Sequence, residues 1–178
     1  EPVFPVLRLV TVPDMVVRAD NVDLAFACDH AECQVLCQLD DESEQVCTSP
    51  LQLLGLENGQ HSLSLRPVDA QGQTLGDAVT ISWYNLSALN LRWVETPTQN
   101  SEGVVETSDL TFAWAVDEAE PVFQCLRDEI VVPCESIQSF TGYRLHEMSN
   151  EIRVRARSQH ALVWEEEINF TWVQGGAK

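Results

Sequence analysis

Val79-Thr80-Ile81-Ser82-Trp83 decides how this chain is read, because it returns as Ile168-Asn169-Phe170-Thr171-Trp172. In each stretch apolar and polar residues alternate, which is how a strand with one face in a core is written. Both stretches close on tryptophan. Further upstream, Leu63-Ser64-Leu65-Arg66 is matched by Ile152-Arg153-Val154-Arg155, and Cys37-Gln38-Leu39-Asp40 by Cys125-Leu126-Arg127-Asp128. Asp23-Leu24-Ala25-Phe26-Ala27 answers to Asp109-Leu110-Thr111-Phe112-Ala113. The opening Leu7-Arg8-Leu9-Val10-Thr11-Val12-Pro13 answers to Leu91-Arg92-Trp93-Val94-Glu95-Thr96-Pro97. Cys47 and Cys134 each precede a glycine, Gly55 and Gly142, by eight residues. Landmarks in one order, with gaps differing by a few residues, mean an internal duplication. Its seam lies in Tyr84-Asn85-Leu86-Ser87-Ala88-Leu89-Asn90. The predicted domains are 1–86 and 87–174, with 175–178 as a flexible tail.

Each unit reads as about seven short strands punctuated by turn signals such as Glu57-Asn58-Gly59 and Asp69-Ala70-Gln71-Gly72. No long stretch carries helical periodicity. The expected fold is all-β: two tandem sandwiches, each with a core between two sheets. Trp83 and Trp172 are expected in those cores, with Trp93 and Trp114 buried on strands.

The chain has 178 residues, 28 Asp and Glu against 10 Lys and Arg, and a net charge of -18. That field repels phosphate backbones and anionic headgroups, so nucleic acid is not an expected partner. No run of 18 apolar residues is present, so membrane insertion is not expected. The chain begins at Glu1 and ends in Gly175-Gly176-Ala177-Lys178. The expectation is a mature form or a portion of a larger multidomain chain.

The first unit resembles the bacterial immunoglobulin-like domains repeated in large secreted and surface proteins. The resemblance rests on Phe26, Cys37-Gln38-Leu39-Asp40, Cys47-Thr48-Ser49-Pro50, Leu56-Glu57-Asn58-Gly59-Gln60-His61, Leu65-Arg66-Pro67-Val68-Asp69-Ala70-Gln71-Gly72-Gln73 and Trp83. The second unit keeps Phe112, Cys125-Leu126-Arg127-Asp128, Cys134-Glu135-Ser136, Arg155 and Trp172 but lacks the Gly-x-His and Asp-x-x-Gly turns. The resemblance implies immunoglobulin-like or fibronectin-III-like sandwiches used for adhesion, spacing or display. It brings no catalytic residues and no cofactor.

Six cysteines allow 15 pairings. Cys37 with Cys47, and Cys125 with Cys134, hold equivalent places ten and nine residues apart, and each pair could staple neighbouring strands of a hairpin. Cys28 and Cys33 remain and would close the Asp29-His30-Ala31-Glu32 turn. A rival reading groups Cys28, His30, Cys33 and Cys37 as zinc ligands, though Cys37 already has a repeat-equivalent partner. Structural disulfides imply an oxidising setting: extracellular, cell surface or periplasm.

No nucleophile elbow, zinc-protease, P-loop or dinucleotide motif is present, so no enzyme is expected. His61 is expected to hydrogen-bond within its turn, and His30, His146 and His160 to sit in loops. The carboxylate runs Asp40-Asp41-Glu42-Ser43-Glu44, Asp117-Glu118-Ala119-Glu120 and Glu165-Glu166-Glu167 are expected to be solvated hairpin and turn segments. The linker has no carboxylate for calcium; Tyr84, Leu86 and Leu89 point instead to contact between the domains. A protein or glycan partner is expected at Tyr143, His146 and Met148, on the most individual loop. Trp164, outside the repeat, is read as core first and as a contact residue second. Asn85-Leu86-Ser87 and Asn169-Phe170-Thr171 fit the N-glycosylation sequon. The alternatives to a binding module are a structural spacer and an accessory module of a secreted hydrolase.

Overall fold

The alternating stretches all become strands in the computed structural model, which describes residues 6–107, 109–134, 137–140 and 149–175. The chain divides into two units, Glu1–Ser87 and Ala88–Lys178. The first holds β1 (Leu7–Thr11), β2 (Val16–Val17), β3 (Asn21–Cys28), β4 (Gln34–Leu39), β5 (Gln45–Cys47), β6 (Leu51–Leu54), β7 (Gly59–Val68) and β8 (Val79–Asn85). One sheet has the order β1-β3-β6 and the other β2-β8-β7-β4-β5. The second holds β9 (Arg92–Glu95), β10 (Val104–Val105), β11 (Leu110–Ala115), β12 (Pro121–Arg127), β13 (Ile130–Val132), β14 (Ile137–Phe140), β15 (Ser149–Ser158) and β16 (Glu166–Gln174). Its sheets run β9-β11-β14 and β10-β16-β15-β12-β13, the same order strand for strand. Each unit is thus an all-β sandwich of the immunoglobulin and fibronectin-III type.

Among the described residues, each unit has one strand more than its sequence shows. β2 and β10 have two residues each and pair in parallel with β8 and β16. Two residues are too few to carry a period. The duplication extends to register. Cys37 faces Leu65 as Cys125 faces Val154, and Leu63 faces Ile81 as Ile152 faces Phe170. Trp83 faces His61 where Trp172 faces Asn150.

The apolar sides of both sheets meet between them. Leu7, Val22, Leu24, Phe26, Val35, Cys37, Leu63, Leu65 and Trp83 form the first core. Each fully buried aliphatic side chain there is worth about 1.5–3 kcal/mol relative to exposure. The second core is aromatic. Phe112 lies 5.4 Å from Trp172, 5.6 Å from Phe170 and 5.9 Å from Trp93, ring centre to ring centre. Trp93 is only half-buried, whereas Trp114 is buried. The ring cluster fills volume in the unit that has one disulfide rather than two.

Three sequence readings change. Leu89 is a core residue of the second unit, packed with Leu91 and Val105. Glu166 and Glu167 belong to β16 rather than a turn; the Glu166 carboxylate accepts the backbone N–H groups of Asn90 (3.1 Å) and Leu91 (2.6 Å). Gly175, assigned to the tail by sequence, donates its N–H to the Val105 carbonyl at 2.8 Å. A Cβ there would come within 3.1 Å of Val104, so only glycine fits this approach without displacement.

Candidate interaction surface

All six cysteines are paired within their own units: Cys28–Cys33, Cys37–Cys47 and Cys125–Cys134. The second ties β4 to β5, and the third ties β12 to the segment just past β13, in equivalent hairpins. These bonds displace the zinc reading, because sulfur in a disulfide cannot serve as a thiolate ligand. His30 lies in the turn that the first bond closes, its Nδ1 accepting the Glu32 N–H at 3.4 Å.

The β15–β16 loop of the second unit departs from its counterpart in the first. In the first unit the matching connection begins with a tight polar turn. The Asp69 carboxylate accepts the N–H groups of Gln71 (2.9 Å) and Gln73 (2.8 Å), and Gly72 takes φ +81°. The second unit instead carries Gln159-His160-Ala161-Leu162-Val163-Trp164-Glu165. The Arg157 guanidinium donates to the carbonyls of Ser158 (3.1 Å) and Ala161 (2.6 Å), and Ala161 is buried. Glu165 accepts the Ser158 N–H at 2.7 Å, while its own N–H donates to Ala156 at 3.1 Å. Gln159 donates to Glu120 at 2.8 Å, linking the loop to the acidic β11–β12 turn.

A loop braced in this way holds its tip outward. Leu162 is 82% exposed, Val163 70% and Trp164 36%. The Arg157 guanidinium lies 5.4 Å from the centre of the Trp164 ring, a cation–π contact that fixes the indole against the loop. Trp164 is therefore not a core residue. Tyr143, His146 and Met148 lie outside the described residues. The strand ends that bracket them, Phe140 and Ser149, are at the opposite end of the sandwich from Trp164: Phe140 pairs with the start of β11 and Ser149 with the end of β16.

His61 hydrogen-bonds within its turn, as its sequence predicts, and also to Asp40 from another turn. Asp40 turns with φ +49°, and its Oδ1 accepts the Ser62 N–H at 2.7 Å. Its Oδ2 lies 2.8 Å from His61 Nδ1, and His61 Nε2 lies 2.8 Å from the Glu57 carbonyl. The ring sits 5.9 Å from Trp83. Burial alone would push the imidazole's pKa down. Hydrogen bonds to the Glu57 carbonyl and to Asp40, with the charges of both acids, outweigh this and raise it above the ordinary 6.5. The second unit repeats the clasp in part: Asp128, at φ +45°, accepts the Glu151 N–H at 2.9 Å.

Four arginines lie along β12 and β15. Arg153 meets Glu129 (2.8 Å), Glu151 (3.0 Å) and Glu167 (3.4 Å), and Arg155 meets Glu167. In the first unit Arg66 clasps Glu44 with both arms, at 2.9 and 2.6 Å, and holds its carboxyl below the usual range. The two sequons differ. Asn85 is buried, its amide donating to Ala19 at 2.6 Å, whereas Asn169 is exposed on β16.

No protein-family model matches the chain, and no curated protein matches it. Several solved structures are similar. The fibronectin(III)-like modules of Clostridium thermocellum CbhA share 12% identity, cover 94% of each chain and give a TM-score of 0.46. Murine CEACAM1b shares 12% over 86% of this chain and 92% of its own, with a TM-score of 0.47. The central fibronectin-III array of RIM-binding protein shares 13% over 97% of this chain and 69% of its own, with a TM-score of 0.32. Among the described residues there is no helix long and apolar enough to cross a membrane.

Proposed function

We propose that the chain is a non-catalytic binding module working outside the cytoplasm, with the β15–β16 loop of its second unit engaging a protein or glycan partner. The observation behind this reading is the braced loop that keeps Leu162 and Val163 in water. Burying two such side chains would be worth about 1.5–3 kcal/mol each, and contact with a partner realises that gain. The Trp164 ring beside them offers a flat face for a sugar or for an apolar protein pocket. The three disulfides fit an oxidising compartment, extracellular or periplasmic. The net charge of -18 favours a neutral or basic partner surface.

The first unit supports a second reading, that of a spacer: its corresponding connection begins with a polar turn closed on itself by Asp69. The roles combine if the first unit carries and the second binds. A test compares the wild-type chain with a Leu162→Ser/Val163→Ser/Trp164→Ala variant on a glycan array and in photo-crosslinking to surface proteins of the source cells. Selective capture by the wild type alone supports binding through the loop. Equal capture, or none by either, favours the spacer.

A further inference from the structure

We propose that His61 is held as an imidazolium in the folded first unit, and that loss of its proton is a built-in release of the clasp joining the β4–β5 and β6–β7 turns. The argument is geometric. A neutral imidazole has one N–H donor and one lone-pair nitrogen. Here both ring nitrogens lie 2.8 Å from atoms that only accept, the Asp40 carboxylate and the Glu57 carbonyl. Either neutral tautomer would aim a lone pair at an oxygen across that distance. Only the doubly protonated ring donates to both.

The Asp40 carboxylate cannot readily turn away, because its other oxygen already accepts the Ser62 N–H. The ring is equally constrained: His61 is only 12% exposed at its side chain and stands beside Trp83. The charged groups acting on it are Asp40 from the β4–β5 turn and Glu57 from the β6–β7 turn; Asp41 lines the same shallow cleft, and β8 contributes the neutral Trp83. Asp40 and Glu57 both favour the cation. The second unit has Asn150 at the register position of His61, so it carries the aspartate clasp with no titrating ring there.

The sign follows from linkage. The folded unit binds the His61 proton more tightly than the unfolded chain. Its stabilisation is complete below the unfolded imidazole pKa of about 6.5, and it is lost as pH rises through the higher folded value. The first unit is therefore tightest in mildly acidic surroundings and loosens as they turn alkaline.

Long-range nitrogen–proton NMR on the full chain tests this without altering it. The expected spectrum at pH 6 shows protons on both His61 nitrogens, with a titration midpoint above 6.5. Asp40→Asn provides the second arm. Its amide oxygen still accepts the Ser62 N–H while its amide nitrogen donates toward Nδ1, so His61 becomes the neutral Nε2–H tautomer with a lowered midpoint. A neutral tautomer in the wild type at pH 6, a midpoint at or below 6.5, or an Asp40→Asn midpoint equal to the wild type's would each overturn the proposal.

Discussion

Replacing Cys125 and Cys134 together with alanine tests whether each sandwich holds its own stability. The bond closes a nine-residue separation across the β12–β13 hairpin, from Cys125 in β12 to Cys134 just past β13. In the chain-entropy treatment a closed loop of that size stabilises by about 2.6 kcal/mol. Cys125 is fully buried in the aromatic core, so losing the sulfurs adds about 1 kcal/mol for the contacts they leave. The sum, about 3.5 kcal/mol, corresponds to a fall of about 15–25 °C in midpoint for a domain of this size. Hydrogen exchange read by mass spectrometry assigns the loss to a unit. Peptides from 88–175 should lose protection, while peptides from 6–87 keep theirs. A loss below about 1 kcal/mol would refute the entropy argument. An equal loss in both units would refute the separation of the cores.

Other predictions are quicker to check. Leu65→Ala, at a fully buried site facing Cys37, should cost about 2–5 kcal/mol in urea unfolding. Leu162→Ser with Val163→Ser should leave that stability within about 0.5 kcal/mol, since both side chains are in water; a larger loss would place them in the fold instead. Asp128→Ala should cost about 1–2 kcal/mol by stripping the Glu151 N–H of its acceptor, with little effect on the first unit. Because the folded state lowers the Glu44 pKa, its pair with Arg66 stabilises above the unfolded carboxylate pKa and fades as pH falls through the folded value. Arg66→Lys, which loses the two-armed geometry, should flatten that acid limb of the stability profile.

The duplication was legible because sandwich strands must alternate, and alternation survives divergence: Leu63 and Leu65, Ile152 and Val154, Trp83 and Trp172 all lie where period two placed them. The cysteine pairs were legible because the repeat supplied equivalent positions. Residues whose place depends on one local partner were not. Leu89 belongs to the aromatic core, and the linker reading had no way to register that. Glu166 reads as part of an acidic run, yet its carboxylate secures the backbone at Asn90 and Leu91 across the fold. Trp164, outside the repeat, reads as core first and as a contact residue second, and Arg157 holds it at the surface. The His61 clasp needed Asp40 and Glu57 brought together by two different turns, a juxtaposition no spacing encodes. Of the proposed contact residues, Trp164 stands at an open loop, and Tyr143, His146 and Met148 await a direct test by alanine substitution in the same binding assay.

The most direct check on the whole account is a protease digest of native, unreduced protein read by mass spectrometry. Three sulfur links should emerge, Cys28 to Cys33, Cys37 to Cys47 and Cys125 to Cys134, none joining the units. A link between a cysteine before Ser87 and one after Ala88, or six alkylatable thiols, would contradict it.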